Sequence, residues 1–167
     1  MSENPPAQIR FTEISDGKYL KEWLDDDGVN RWFPMHDAPE IEDAVQRWVG
    51  FSRYRCSLTA VVDGVPKGIA TLYLQPYRKL AHQCEFGIIV APDSRGKGIG
   101  NFLLEQLEKL AKDTFKIELI HLQVYQDNPA KHLYERRGYR AFGEQSKWIK
   151  EINGTYTGRT FMEKYLK

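Results

Sequence analysis

Residues 85–111, EFGIIVAPDSRGKGIGNFLLEQLEKLA, contain an apolar run, a glycine-rich segment and a helical pattern in direct succession. The apolar run covers residues 86–90 and ends at Ala91-Pro92. Three glycines follow at alternate positions: Gly96, Gly98 and Gly100. Apolar residues then recur every three or four positions, at Ile99, Leu103, Leu107 and Leu110. This succession predicts a strand, a glycine-rich turn and an amphipathic helix.

The predicted turn is suited to binding an anion. The first backbone N–H groups of a helix have no partner within it and lie at the positive end of its dipole. The glycines let a phosphate approach the backbone without meeting a Cβ atom, and Arg95 and Lys97 add positive charge. The turn is not a P-loop, because no GxxxxGK[ST] is present. It is not GxGxxG either, because Asn101 stands in place of the third glycine.

The composition indicates one globular domain over residues 1–167. Apolar residues make up 41% of the chain and charged residues 28%, with a formal net charge of +1. So small a net charge favours neither nucleic acid nor an anionic membrane surface as a partner. No apolar run approaches the ~20 residues of a membrane span. The start MSENPPAQIR lacks the pattern of a signal peptide, so we expect a cytoplasmic protein with Cys56 and Cys84 reduced.

Periodicity and turn signals predict eleven elements. Strands are expected at 8–14, 54–62, 65–74, 82–90, 117–124, 139–152 and 155–166, and helices at 15–26, 39–52, 98–113 and 129–137. Ser15 and Asp16 are suited to capping the first helix, and the Ile/Leu/Val content of the fifth strand predicts burial on both faces. The order β-α-α-β-β-β-α-β-α-β-β predicts a mixed α/β sheet with helices on both faces and a parallel βαβ unit over 82–124. Ligands of such units bind at the carboxyl ends of the strands.

Two blocks of sequence resemble motifs of the GNAT family of acyl-CoA-dependent N-acyltransferases. The segment Arg95-Gly96-Lys97-Gly98-Ile99-Gly100 resembles the R/Q-x-x-G-x-G/A signature of that family. Residues 124–139 are similar to a second family motif, in which an asparagine ends the fifth strand, a tyrosine follows on the next helix and a glycine-aromatic pair closes the block. The predicted order of elements is also that of the GNAT fold. The resemblance therefore covers nearly the whole chain and implies that the parallel fourth and fifth strands splay apart.

The resemblance implies acetyl-CoA as cosubstrate and assigns roles to particular residues. The coenzyme diphosphate would lie on the turn formed by Arg95, Gly96, Lys97, Gly98, Ile99 and Gly100. The pantetheine arm would pair with the backbone of Ile88, Ile89 and Val90 and bond to Asn128. Tyr134 would protonate the departing thiolate, since a phenol of pKa ~10 keeps its proton at pH 7. The alternatives are a plain helix cap for Asn128 and a packed core side chain for Tyr134.

An attacking amine must lose a proton, and Glu85 is the preferred base. Glu85 interrupts an apolar strand just before the residues expected to bind the coenzyme, and many GNAT members carry a glutamate there. Its alternative role is that of a carboxylate satisfied by a neighbouring strand. Three histidines are alternative bases: His82, His121 and His132. No His/Cys/Asp set has the spacing of a metal site, so no metal is expected.

The resemblance places the amine acceptor beside the first two helices and the last hairpin. Aromatic residues in or near these regions are candidate acceptor-binding residues: Trp32, Phe33, Tyr73 and Trp148. Aromatic walls with nearby acids suit a cationic amine. The alternative is that the aromatics are core and the acids are solvated helix ends. An edge hairpin can also pair with another subunit, so a homodimer is a further expectation.

The leading hypothesis is an N-acetyltransferase that transfers an acetyl group directly from acetyl-CoA to a primary amine of a small molecule or peptide. Neither motif contains a cysteine, which argues against a covalent acetyl-enzyme. Two alternatives remain: a GNAT-like module that binds acyl-CoA as a sensor without turnover, and a regulatory domain that binds another nucleotide phosphate at residues 95–100.

Overall fold

The computed structural model describes residues 6–167. Residues 1–5 lie outside the described residues. The predicted domain and the predicted lack of a signal peptide both include these residues. The described strands are β1 (Ala7–Phe11), β2 (Ser57–Val62), β3 (Val65–Tyr73), β4 (Gln83–Val90), β5 (Leu119–Tyr125), β6 (Arg140–Lys150) and β7 (Tyr156–Tyr165). The α-helices are α1 (Gly17–Asp25), α2 (Asp27–Asn30), α3 (Ala38–Gly50), α4 (Ile99–Asp113) and α5 (Ala130–Arg136).

The strands form one sheet in the order β1-β2-β3-β4-β5-β7-β6. β4 and β5 are parallel and all other neighbours are antiparallel, which confirms the predicted mixed sheet. On one face, the apolar stripe of α4 packs with Tyr134 of α5. On the other face, α1 and α3 enclose Ile69 and Ile89. Leu103 and Leu107 of α4 are fully buried, and each such side chain stabilises the fold by roughly 1.5–3 kcal/mol relative to exposure.

The parallel strands β4 and β5 pair only where they begin. Three residue pairs join them: Gln83 with Leu119, Cys84 with Ile120, and Glu85 with His121. β4 continues to Val90 and β5 to Tyr125 without further pairing between them. The predicted splay is therefore confirmed. Beyond Glu85, the edge of β4 that faces β5 carries backbone groups with no strand partner.

The segment between α1 and α3 differs from the prediction. The first helix ends at Asp25, and the extra single turn α2 follows. Asp26 leaves the helical conformation (φ −80°, ψ 124°), and its side chain accepts a hydrogen bond from the Val29 backbone N–H at 3.2 Å. Asp26 therefore ends one helix and caps the next, which holds the following aromatic segment close to the sheet.

The predicted capping role of Asp16 is wrong, because its carboxylate is buried and hydrogen-bonded elsewhere. Arg10 donates two hydrogen bonds to it, at 2.7 and 2.8 Å, and the Thr59 hydroxyl donates a third at 2.9 Å. Asp16 is only 1% exposed. Burial alone would raise the pKa of Asp16, but the bonds from Arg10, the Glu13 backbone and Thr59 bring it below its usual value. Asp16 therefore joins β1 and β2 to the start of α1.

The prediction that β5 is buried on both faces is also wrong. Ile120, Leu122 and Val124 point into the apolar core, whereas His121 and Gln123 are half-buried on the opposite face. Paired residues of neighbouring strands project from the same face, so His121 and Gln123 lie on the side of Glu85. A polar strip therefore crosses the sheet where the strands begin to diverge.

A buried carboxylate on α4 fixes the end of α5. Glu108 is 7% exposed and accepts hydrogen bonds from Arg137 at 2.9 and 3.2 Å, from the Tyr139 hydroxyl at 3.1 Å and from Lys164 at 2.9 Å. Burial opposes ionisation, yet the bonds from Arg137 and Lys164 lower the pKa of Glu108 below its usual value. This network ties α4, the end of α5 and β7 together, and so holds the helix that carries Tyr134.

Candidate active site

The divergence of β4 and β5 opens a cleft of about 510 Å³, here called the fork cleft. Its lining includes most residues predicted to bind a coenzyme: Ile88, Ile89, Val90, Arg95, Gly96, Gly98, Gly100, Asn128 and Tyr134. Two predicted members do not line it. Lys97 is exposed, and the Ile99 side chain is buried in the core beneath α4. The fold therefore brings the two motifs, which are separated in sequence, to one cleft.

Sequence reasoning missed several lining residues of the fork cleft. Asn101 follows the last glycine in the first turn of α4, and Leu133 and Arg136 lie three residues apart on α5. Residues three apart share one face of a helix. The helical pattern that placed Tyr134 on α5 could therefore have indicated that neighbouring α5 residues face the same cleft.

The glycine turn has the backbone that its sequence predicts. Gly96 and Gly98 have φ values of +72° and +81°, which glycine adopts without steric cost. Gly98 immediately precedes α4, whose first N–H groups have no partner within the helix. A Cβ atom at Gly100 would meet Leu133 and Val90 at 3.5 and 3.6 Å, an ordinary contact distance. The packing of the chain does not itself require glycine at position 100, which suits a position approached by a ligand.

The charge of the fork cleft favours an anion. Arg95 and Arg136 are its charged lining residues, and none of its lining residues is acidic. The Arg95 guanidinium is exposed and donates a hydrogen bond to the Gly28 carbonyl of α2 at 3.4 Å. Two cations and the positive end of a helix dipole therefore face the same space.

Tyr134 is packed in the core and also lines the fork cleft. It is 7% exposed and contacts Phe86 and Tyr139 edge-on, with both ring centroids 6.0 Å away. Its hydroxyl has no hydrogen-bond partner within residues 6–167. Burial raises the pKa of Tyr134 above its ordinary value, so the phenol keeps its proton. A neutral hydroxyl without a protein partner is therefore available at the cleft wall.

Asn128 lines the same cleft and also orders the start of α5. Its side-chain oxygen accepts a hydrogen bond from the Ala130 backbone N–H at 3.0 Å. This bond closes a turn immediately before α5, in which Pro129 and not Asn128 occupies the N-cap position. The side-chain NH2 group of Asn128 makes no hydrogen bond within residues 6–167 and can therefore donate to a ligand.

Glu85 lies at the last β4–β5 pair and lines neither cleft of the site. Gln123 donates to its Oε1 atom from Nε2 at 2.8 Å, and the Gln123 oxygen accepts a hydrogen bond from Arg159. Arg159 in turn donates to the Gln145 oxygen at 2.9 Å. A guanidinium can only donate, so it fixes the orientation of the Gln123 amide with its NH2 group toward Glu85. The Oε2 atom of Glu85 has no hydrogen-bond partner among the described residues.

The three histidines proposed as alternative bases lie outside both clefts. His82 and His132 are exposed. His121 is half-buried, with its Nε2 atom 2.7 Å from the Gln83 side-chain oxygen. Burial lowers the pKa of His121, although the nearby Glu85 and Glu163 carboxylates oppose this shift. His121 is therefore a neutral neighbour of Glu85 at pH 7.

A second cleft, of about 630 Å³, lies beside the β6–β7 hairpin and is here called the hairpin cleft. It is lined by Arg31, Trp32, His36, Tyr125, Asp127, Glu151, Ile152, Asn153 and Thr157. Trp32 lines both clefts, so the two spaces adjoin at one side chain. This is the region where the acceptor was expected.

The four predicted acceptor residues are not all brought to the hairpin cleft. Trp32 lines both clefts and Phe33 lines the fork cleft. Trp148 packs edge-on behind Tyr125, with ring centroids 5.2 Å apart. Tyr73 lines neither cleft, because it packs against Phe51 and Trp48 and fills the space beside Gly87. A Cβ atom at position 87 would lie 2.5 Å from the Tyr73 hydroxyl oxygen.

Among residues 6–167, no group of three or more His, Cys, Asp or Glu side chains is placed to hold a metal ion. No helix in the described part of the chain is long and apolar enough to cross a membrane. Cys56 and Cys84 are free and buried.

The fold and the site together define an N-acyltransferase of the acyl-CoA-dependent class. The defining features are a mixed sheet with splayed parallel strands, a glycine turn before a helix and a tyrosine at the cleft wall. Comparison with known families agrees, because the family described as "Acetyltransferase (GNAT) family" matches residues 18–139. The chain belongs to this family. The predictions of the family and of the fold are thereby confirmed, and the family is one of acetyltransferases.

Similar proteins include enzymes with two kinds of amine substrate in their names. The chain is 27% identical to the L-amino acid N-acetyltransferase AaaT of Escherichia coli over 63% of this chain and 65% of that enzyme, just under two thirds of its length. It is 27% identical to the spermidine N(1)-acetyltransferase of Vibrio cholerae over 92% of this chain and 89% of that enzyme. YncA of Salmonella typhimurium, solved with its cofactor acetyl-CoA, is 19% identical over 96% of this chain and 94% of that chain, with a TM-score of 0.81. At that identity the structural likeness concerns the fold.

Proposed function

We propose that this chain transfers the acetyl group of acetyl-CoA directly to a primary amine of a small molecule or peptide, in a ternary complex formed across the two clefts. One observation carries the proposal. The fork cleft joins the glycine turn, the unpaired edge of β4 and the Tyr134 hydroxyl in one continuous space.

The chain would hold the coenzyme mainly through its backbone. The amides at the start of α4, with Arg95 and Arg136 beside them, would bind the diphosphate. The free edge of β4 at Ile88–Val90 would hydrogen-bond the pantetheine arm as an added strand does. The Asn128 NH2 group would donate to the same arm. A β4 backbone N–H near Ile88 or Ile89 would stabilise the oxyanion that forms at the carbonyl.

Glu85 would accept the proton of the amine through a water molecule, since its side chain does not line either cleft. The Gln123 NH2 group occupies Oε1 and leaves Oε2 for the water. As the amine nitrogen bonds to the carbonyl carbon, its proton passes to this carboxylate. Gln123 and Arg159 would act as positioning residues, because they fix the carboxylate from the β7 side.

Tyr134 would give its proton to the thiolate as the carbon–sulfur bond breaks. The only two cysteines of the chain cannot take part as nucleophiles. Both are buried and line neither cleft. Burial, followed by the influence of Cys56 and Glu85, raises the pKa of Cys84 to about 12, which keeps it a thiol. Direct transfer to the amine therefore suits this site better than an acetyl-enzyme.

The acceptor class and the cellular setting extend the proposal. The relatives named for L-amino acids and for spermidine support a small amine acceptor. Free buried cysteines fit the cytoplasm, where thiols stay reduced. The homodimer also stays a prediction, with the exposed edge strand β6 as the surface that would pair. The expectation that neither nucleic acid nor a membrane is a partner likewise stays a prediction.

The test is thiol release from acetyl-CoA over a panel of primary amines, with the acetylated product identified by mass spectrometry. We expect amine-dependent release and one acetyl group on the amine product. Binding of acetyl-CoA without release against any amine would support the sensor hypothesis instead.

A further inference from the structure

The hairpin cleft contains polar groups that the fold does not use. Tyr125 is 4% exposed, yet its hydroxyl has no hydrogen-bond partner within residues 6–167 and the residue lines this cleft. Nothing in the packing of β5 requires a hydroxyl there, because the ring already contacts Trp32 and Trp148 edge-on at 6.2 and 5.2 Å. A hydroxyl that lines a cleft and has no protein partner can hydrogen-bond a ligand.

The charged residues of the hairpin cleft indicate the charge of the ligand that it would bind. Asp127 and Glu151 line it, and neither carboxylate forms an ion pair with a described residue. Glu151 accepts only a hydrogen bond from the Thr157 hydroxyl, at 3.2 Å. Arg31 is the cleft's guanidinium, and it lies over the Trp32 ring, 4.5 Å from the centroid. Burial, followed by the Glu151 charge, raises the pKa of Tyr125 to about 12, so the phenol is neutral beside the carboxylates.

The position of the cleft defines which part of a substrate it would hold. Trp32 is a wall of both clefts, so the hairpin cleft adjoins the space between the splayed strands at this side chain. The acetylated nitrogen would lie in the fork cleft and lose its charge there. The opposite end of the same molecule would remain among Tyr125, Asp127 and Glu151. These groups suit a second cation, because aromatic and carboxylate groups both favour an ammonium.

We propose that the hairpin cleft is a binding subsite for the distal cationic nitrogen of a diamine or polyamine acceptor whose primary amine reaches the fork cleft past Trp32. The inference rests on the proposed function for the reaction, and on Tyr125, Asp127 and Glu151 for the choice of acceptor.

The first test compares three acceptors that carry the same primary amine on a four-carbon chain: putrescine, butylamine and γ-aminobutyrate. Their far ends are an ammonium, a methyl group and a carboxylate. We expect kcat/KM for putrescine to exceed that for butylamine by roughly 10- to 100-fold, the range of one or two charge-assisted hydrogen bonds, with γ-aminobutyrate lowest. Equal values for the three would overturn the proposal.

Conservative variants test which residues cause the preference for putrescine. Glu151→Gln and Asp127→Asn should raise KM for putrescine, by about 10-fold for Glu151→Gln, and leave KM for butylamine and acetyl-CoA unchanged. Glu144→Gln is the matched control, since Glu144 is an exposed carboxylate on the same hairpin and lines neither cleft. A putrescine preference that survives the Glu151→Gln/Asp127→Asn double variant would overturn the assignment.

Calorimetry separates this inference from the proposed reaction. Putrescine is titrated into the complex of the enzyme with CoA, which carries no acetyl group to transfer. Saturable binding that weakens about 10-fold in Glu151→Gln supports the subsite even if no amine is acetylated. If amines are acetylated but putrescine does not bind the CoA complex, the proposed function stands and the subsite is rejected.

Discussion

The two clefts differ in the part of the chain that forms their binding groups. The fork cleft offers the backbone of the glycine turn and the unpaired edge of β4, with Arg95 and Arg136 as its charges. The hairpin cleft is lined by side chains from three connections and from the strands β5 and β7, and it carries two carboxylates. Only Trp32 belongs to both. Under the proposed function, the coenzyme is bound mainly by main-chain geometry, whereas the acceptor is selected by side chains.

The largest effect is expected when the anion-binding turn of the fork cleft is blocked. Gly98→Glu places a side chain and a negative charge where the first amides of α4 converge, so acetyl-CoA affinity should fall at least about 1000-fold. Gly64→Glu is the matched control. Gly64 has nearly the same φ, +78° against +81°, and no atom lies within 4 Å of its added Cβ. Calorimetric titration with acetyl-CoA should separate the two variants, and equal affinities would remove the assignment of the turn.

The next largest effect should come from the wall of the same cleft. Tyr134→Phe should lower kcat by ~10- to 1000-fold and leave acetyl-CoA affinity and the unfolding free energy nearly unchanged. The hydroxyl has no protein partner, so its removal leaves no group unsatisfied. Because burial raises the pKa of Tyr134, activity that depends on the phenol should persist below pH ~10 and fall only above it. Steady-state kinetics and thermal unfolding check this prediction, and a full-rate Tyr134→Phe enzyme would dismiss Tyr134 as the acid.

An intermediate loss of activity is expected from Glu85, which lies with His121 and Gln123 where β4 and β5 begin to diverge. Glu85→Gln should lower kcat/KM by roughly 10- to 100-fold and flatten its rise with pH, because the proton acceptor is lost. The groups facing Glu85 are Tyr73 on β3 and His121 and Gln123 on β5, with Arg159 behind Gln123. Gln123→Leu should lower kcat/KM less than Glu85→Gln does, since it frees the carboxylate without removing it. An identical pH dependence of kcat/KM in wild type and Glu85→Gln would show that Glu85 is not the base.

The smallest effect is expected from a change at Trp32, and it should weaken the binding of acetyl-CoA and of the amine to a similar extent. Trp32→Ala removes the wall common to both clefts, so KM for acetyl-CoA and KM for the amine should both rise by about 3- to 10-fold. Tyr77→Ala is the control, because Tyr77 is an aromatic residue that is 71% exposed and lines neither cleft. A change confined to one of the two KM values would mean that the clefts do not adjoin at Trp32 in solution.

Much of the fork cleft could be predicted because its signals are local. Alternate glycines after a strand specify a turn with positive φ, and the apolar spacing after them specifies the helix that follows. Asn128 and Tyr134 were predicted from the resemblance of residues 124–139 to the second family motif. Arg136 was missed because a cation on a short helix looks like an ordinary solvated residue until the partner cleft is known.

The hairpin cleft could be predicted only in outline, because its parts meet through long-range topology. β7 lies between β5 and β6, and this order places Arg159 opposite Tyr125. No periodic signal marks Glu151 beside its turn, and Tyr125 reads as one more apolar strand residue. For the same reason Tyr73 was expected at the acceptor site. Its neighbours Trp48 and Phe51, which hold it away from both clefts, lie more than 20 residues earlier in the chain.

The central claim is that the divergence of β4 and β5 forms the coenzyme site. A crystal structure of the complex with CoA tests it most directly. We expect the diphosphate within hydrogen-bonding distance of the backbone amides at 96–101, the pantetheine arm along the free edge of β4, and the sulfur atom beside the Tyr134 hydroxyl. A complex in which CoA lies elsewhere and β4 and β5 pair beyond Glu85 would contradict it.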